Sequence, residues 1–335
     1  MAISFRDQAG RLRSKAIWDW IDEVDRDPAP VWLVNGWLPA DATIIISGEP
    51  TRAYKTWFAF ALCGAIASGR DISLIQPTNR EGAGVLFIEL EGPRKSTADR
   101  WRWLSNGHGI GREEVSKFHI IHRENFALDS RADIEDVSLL VAQHDIKLVV
   151  IDTFAQAHRG DENSSRDVTI AMNAIKDIKN SGQGTSVAFL HHLTKPSKDS
   201  SVDMDHKIRG SSALAGAYDV HQHFYKEAAK QRYLNLTIRA NDFPEQYFTV
   251  QWAIDGAAQT ARLIMKPQEE GELTAVQIES YVSHLVPMKL YSRPQLKTVW
   301  GLSSPGYTKE VIDQLLAAGV IEVKDKRIIL TDKGD

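Results

Sequence analysis

The chain has 335 residues, 43% hydrophobic and 25% charged, with a formal net charge of −4, an ordinary globular balance that excludes a general electrostatic attraction to nucleic acid and leaves any such contact local. The single cysteine, Cys63, excludes an internal disulfide and a cysteine-based metal site, and its setting in an apolar helix reads as a buried thiol. No apolar run reaches the roughly 20 residues of a membrane span, and residues 1–13 lack the apolar core of a secretory signal, so the expected location is the cytoplasm.

Residues 1–42 read as an arm. Leu12, Ala16, Trp20 and Val24 recur every fourth position, with Ile17 and Ile21 beside them, which makes one apolar helix face. That face packs either on its own domain or on a neighbouring subunit. From 43 to 254, apolar runs alternate with helical patterns. Strands are predicted at 43–46, 85–90, 117–122, 147–151, 186–190, 220–224, 234–239 and 248–252, with helices at 56–68 and 167–180 among them. In the second helix Val168, Ala171, Met172, Ile175 and Ile178 form the apolar stripe. This alternation predicts an α/β fold with a mostly parallel twisted sheet. The last strands follow one another closely, so the sheet is expected to finish antiparallel. Residues 255–272, with Gly256, Pro267 and Gly271, read as a linker. Residues 273–335 read as helices followed by a hairpin, with Gly319 ending the last helix, in the order of a small winged-helix-like domain.

The chemistry centres on two strand ends. The first runs from Gly48 through Glu49, Pro50, Thr51, Arg52, Ala53 and Tyr54 to Lys55, Thr56 and Trp57. A phosphate loop needs inward N–H groups at a helix N-terminus, a lysine for the terminal phosphates and a hydroxyl for Mg²⁺. Lys55 and Thr56 supply the last two. Two departures stand out: the loop is one residue longer than G-x4-G-K-[ST], and Tyr54 replaces the final glycine. A tyrosine can enter the left-handed turn at a cost on the order of 1 kcal/mol. The second end is Asp152, closing the apolar run Leu148-Val149-Val150-Ile151. A run of this kind suits a strand buried on both faces, whose carboxyl edge is where such sheets bind ligands. Asp152 in that position can hold the water shell of a metal between phosphates.

Other candidates surround this pair. Glu89 and Glu91 share one side of their strand, and Glu91, just past its end, is preferred as the base for an attacking water. His191 and His192 end another strand; their side chains point oppositely, which disfavours zinc and leaves one histidine to reach the γ-phosphate. The polar loop from Arg159 to Ser165 is capped by Ser164 or Ser165 and is either a ligand contact or a surface turn. The segment 194–207, with Lys195, Lys198 and Lys207, is long for a connection and reads either as a DNA-contacting loop or as a solvated one. In 272–335 eight acids balance eight bases, so protein docking is as good a reading of the tail as DNA contact.

Taken together, the 147–154 segment, Gly160-Asp161-Glu162-Asn163, Phe189-Leu190-His191-His192 with Lys195, and Arg209-Gly210-Ser211-Ser212-Ala213-Leu214 resemble, in order, the RecA-like P-loop ATPase core (an AAA-type domain) of the RepA-type hexameric helicase family. The resemblance covers about residues 30–254. It implies a hexameric ring, ATP and Mg²⁺ at subunit interfaces, and single-stranded DNA as partner. By position it implies Lys55 and Thr56 on phosphate and metal, Glu91 as catalytic carboxylate, Asp152 as metal-shell acid, His192 as phosphate sensor, and Arg239 or Arg209 as an arginine reaching a neighbour's phosphate. The function so implied is a Mg²⁺-dependent ATPase motor on DNA, of plasmid, phage or mobile-element replication. The altered loop also admits a nucleotide-binding, DNA-binding regulator with little turnover.

Overall fold

The computed structural model describes residues 14–26, 32–49, 54–122, 124–192, 214, 216–226, 233–240, 243, 245–267, 290–292, 295–296, 312–324 and 327–330. Its centre is β3 (Thr43–Gly48), an apolar strand buried along its whole length. β3 lies between β7 (Ser186–His192) and β8 (Val220–Tyr225), parallel to both. Beyond β7 come β6 (Ile146–Asp152), β4 (Gly84–Glu89) and β5 (Phe118–His122), all parallel. Beyond β8 come β9 (Leu234–Ala240), β10 (Gln246–Asp255) and β11 (Thr260–Pro267), each antiparallel to its neighbour. The result is a nine-stranded sheet, β11-β10-β9-β8-β3-β7-β6-β4-β5.

Two-sided burial explains the apolar runs. In β6, Leu148 and Val150 enter one core cluster and Val149 and Ile151 the other. Period-2 alternation then demands an apolar residue at every position. One face is covered by α2 (Lys55–Ser68), a helix apolar on every side and buried from Phe58 to Ala67. Cys63 lies inside it, and burial pushes its thiol pKa up. α2 packs against α3 (Arg94–His108) closely enough that a Cβ on Gly64 would meet the Trp101 ring at 2.9 Å. The other face is covered by α4 (Arg131–Gln143), α5 (Phe154–Ala157) and α6 (Ser165–Asn180), whose Val168, Ala171, Met172, Ile175 and Ile178 are buried as the stripe predicts.

Two expectations need correction. The stretch 255–272 is not a plain linker, because residues 260–267 form β11, fully paired with β10. The arm does not stay apart from the core to residue 42. β1 (Trp32–Val34) and β2 (Leu38–Pro39) form a small hairpin, and Leu33, Val34, Trp37 and Leu38 are buried in the core. The described side chains of α1 (Ile17–Arg26) are exposed apart from Ile21, with Ile17 at 61% and Trp20 at 37%.

In the tail, a helical turn at 312–317 is followed by Gly319 at φ +71° and by β12 (Ile321–Lys324) paired antiparallel with β13 (Arg327–Leu330). Most of 268–311 lies outside the described residues. So do Pro50, Lys195, Lys198, Lys207 and Arg209. Among the described residues no helix is long and apolar enough to cross a membrane.

Candidate active site

β3 delivers the turn that leads into Lys55 and Thr56. Tyr54 stands at the N-cap of α2 with φ 50° and ψ 28°, the left-handed conformation that a glycine usually supplies there. Its carbonyl accepts the first helical bond, from Phe58 N–H at 3.0 Å. Tyr54 is 40% exposed and stacks on Trp252 of β10, with centroids 6.4 Å apart and planes 23° apart. Trp57 meets the same indole at 5.7 Å.

Lys55 follows and is buried. Its Nζ donates to the carbonyls of Gly48 at 2.9 Å and Glu49 at 3.2 Å, and lies 3.4 Å from Nδ1 of His192. Burial lowers its pKa to about 8, against the opposing charges of Asp152, Glu91 and Glu49. Next, the Thr56 hydroxyl donates to Oδ2 of Asp152 at 2.7 Å, joining residues 96 apart in sequence. β7 separates their strands, so the two strand ends face each other across one intervening strand.

Asp152 is itself buried, with a pKa pushed up to about 7 by desolvation and then by the charge of Glu89; the Thr56 hydrogen bond opposes this. Glu89 is its register partner on β4. Glu89 is held tightly: Oε1 accepts from the N–H groups of Glu91 at 3.0 Å and Gly92 at 2.7 Å, and Thr97 Oγ1 reaches Oε2 at 3.4 Å. Glu91 stands exposed at the rim, and its charge acts on both Lys55 and Asp152. Strand position alone did not separate a clasped Glu89 from a solvent-facing Glu91, because the clasp depends on the turn after β4.

His191 and His192 diverge as alternation requires. His191 is buried edge-on against Phe154 at 5.6 Å, while His192 turns to Lys55. Among the described residues no group of three or more His, Cys, Asp or Glu is placed to hold a metal by itself. A Mg²⁺ with a largely aqueous shell needs less, one or two protein oxygens near phosphate. Thr56 and Asp152 fit that requirement, with the Thr153 hydroxyl buried and unpartnered beside them. Arg239 is on β9, two strands from β3, and pairs with Glu245. Ser164 caps α6 by accepting from Asp167 N–H, which makes 159–165 a capped turn.

Sequence reading missed a buried trio beneath the turn. Ser47 Oγ lies 2.7 Å from His221 Nε2 and 2.8 Å from His223 Nδ1. Burial, followed by Arg239 and His191, lowers the His221 pKa to about 4. The visible signal was the alternating His-Gln-His within β8. Trp252 carried no signal, since its partners are some two hundred residues earlier.

This fold and site define a RecA-like α/β protein with a P-loop-type turn facing an acid-tipped strand. A family model for the AAA domain matches residues 8–198, and the chain belongs to that family. Among solved structures it is similar to a DnaB-like replicative helicase, described with its interactions with primase. The TM-score is 0.53 at 12% sequence identity, over 74% of this chain and 67% of that one, a likeness of fold. No curated protein matches the chain. The RecA-like P-loop resemblance read from the sequence therefore holds.

Proposed function

We propose that the chain is a Mg²⁺-dependent ATPase acting on single-stranded DNA as a ring-forming, helicase-like motor. One observation carries the reading: the Thr56–Asp152 hydrogen bond beside a buried, loop-held Lys55. A triphosphate entering the turn takes the Lys55 ammonium from backbone carbonyls and meets the N–H groups of the α2 N-terminus. Thr56 and Asp152 would hold Mg²⁺, which when bound neutralises charge on the β- and γ-oxygens. Glu91, at the exposed rim, orients and deprotonates the attacking water. His192, within reach of Lys55, registers whether the terminal phosphate is present. Arg239, released from Glu245, or Arg209 serves a neighbouring subunit's phosphate. The DnaB-like replicative helicase fold neighbour and the lysines of 194–207 support DNA as partner. A ring, a winged-helix tail and a role in plasmid, phage or mobile-element replication belong to the same reading.

The decisive measurement is steady-state ATP turnover with and without single-stranded DNA. DNA should stimulate it, and Lys55→Ala should abolish it; full turnover in that variant removes Lys55 from the chemistry. Solution mass with an ATP analogue and DNA should report an oligomer, and a strict monomer counts against the ring. Tyr54 in place of glycine favours one competing outcome, a switch that binds nucleotide without DNA-stimulated turnover.

A further inference from the structure

The aromatic cluster at the turn has no part in the phosphate chemistry. Tyr54, Trp57 and Trp252 come from the turn, the first helical turn of α2 and the distant strand β10, yet they meet in one place. Trp252 is on β10, on the side of β3 away from β6 and β4 with their carboxylates, and the other two rings meet it. Tyr54 stacks on Trp252 and is 40% exposed at the mouth of the turn. The Trp252 indole N–H is buried and has no hydrogen-bond partner. Such a donor normally finds one. A left-handed backbone at a tyrosine is also costly, and glycine would remove that cost.

We propose that Tyr54, backed by Trp252 and Trp57, is the surface on which the nucleobase of the bound triphosphate stacks. The inference rests on the phosphate reading of Lys55 and Thr56 and extends it to the other end of the ligand. Phosphates held at the α2 N-terminus leave the ribose and base to run outward past residues 54 and 57, where the rings stand. Stacking uses the π-face that every base has, so the site accepts purine triphosphates with little discrimination. The Trp252 N–H supplies one donor to a base or sugar acceptor once the Tyr54 ring shifts to admit it.

The test is calorimetric binding of ATP, GTP and inorganic tripolyphosphate, in Mg²⁺, to the full chain and its Tyr54 variants. Tripolyphosphate carries the phosphates without a base. Tyr54→Ala should weaken ATP and GTP on the order of 10- to 100-fold and leave tripolyphosphate nearly unchanged, with Tyr54→Phe restoring both nucleotides. Tyr54→Gly relieves the backbone and should hold tripolyphosphate at least as tightly, yet lose the preference for ATP. Equal weakening of all three ligands by Tyr54→Ala, or no weakening of ATP, overturns base stacking alone. If tripolyphosphate and ATP both fail to bind the unaltered chain, or Lys55→Ala leaves tripolyphosphate binding intact, the phosphate reading falls and this inference with it.

Discussion

The two flanks of β3 differ in kind. Toward β7, β6 and β4 the site is charged, with Lys55, Asp152, Glu89, Glu91 and His192 acting on one another through burial and short hydrogen bonds. Toward β10 the mouth of the turn is aromatic, with Tyr54, Trp57 and Trp252 in ring contact. The charged flank is organised by parallel strands that end at one level. The aromatic flank depends on an antiparallel extension that reaches back to the turn. The contrast teaches that one turn can present two kinds of surface: directed charge on one side, ring faces on the other; the proposed ligand would be read by both, phosphate by the first and base by the second.

The largest expected effect tests whether the flanks act separately. Asp152→Asn should lower turnover on the order of 10²- to 10³-fold, while the affinity ratio of ATP to tripolyphosphate stays as in the parent chain. A changed ratio in competition binding would join the two flanks into one unit. Next come the two glutamates of the charged flank. Glu91→Gln should remove turnover and leave thermal unfolding unchanged. Glu89→Ala should cost about 2 kcal/mol of stability in denaturant titration, because the N–H groups of Glu91 and Gly92 lose their acceptor. The reverse assignment, turnover lost only with Glu89, would make the clasped residue the base.

The smallest effect is a proton balance. At pH 6 Asp152, with its pKa near 7, is largely protonated, and a cation held against it drives that proton off. At pH 8.5 Lys55, with its pKa near 8, is largely neutral, and a phosphate beside it draws a proton on. Binding of Mg²⁺ and ATP should therefore release a fraction of a proton at pH 6 and take one up at pH 8.5. Titration in buffers of different ionisation enthalpy measures both, and Asp152→Asn should erase only the release. The aromatic flank contributes nothing to this exchange, so a Tyr54 variant that altered it at saturating ligand would contradict the division.

The legibility of the molecule follows the same line. β3 and β6 were plain in the sequence because burial on both faces writes an unbroken apolar run. Thr56 and Asp152 were legible as a pair because phosphate chemistry restricts residue type and order. β11 was hidden: its alternating Ala261, Leu263 and Met265 are buried, but the glycine and alanines before it and the proline at its end read as linker composition. β1 and β2 are too short for a periodic signal. Trp252 was invisible as a site residue because stacking leaves no spacing rule, and the clasp on Glu89 depends on backbone N–H groups that every sequence possesses.

β7 sets the gap between the charged groups. It separates β3 from β6, so its width fixes the span that Thr56 crosses to Asp152. The same strand ends in His192, against Lys55. On the proposed reading spacer and reporter are one piece of chain: a tug on the polypeptide just after β7 would arrive at the lysine through a single imidazole, and a phosphate displacing that imidazole would push back along the same strand.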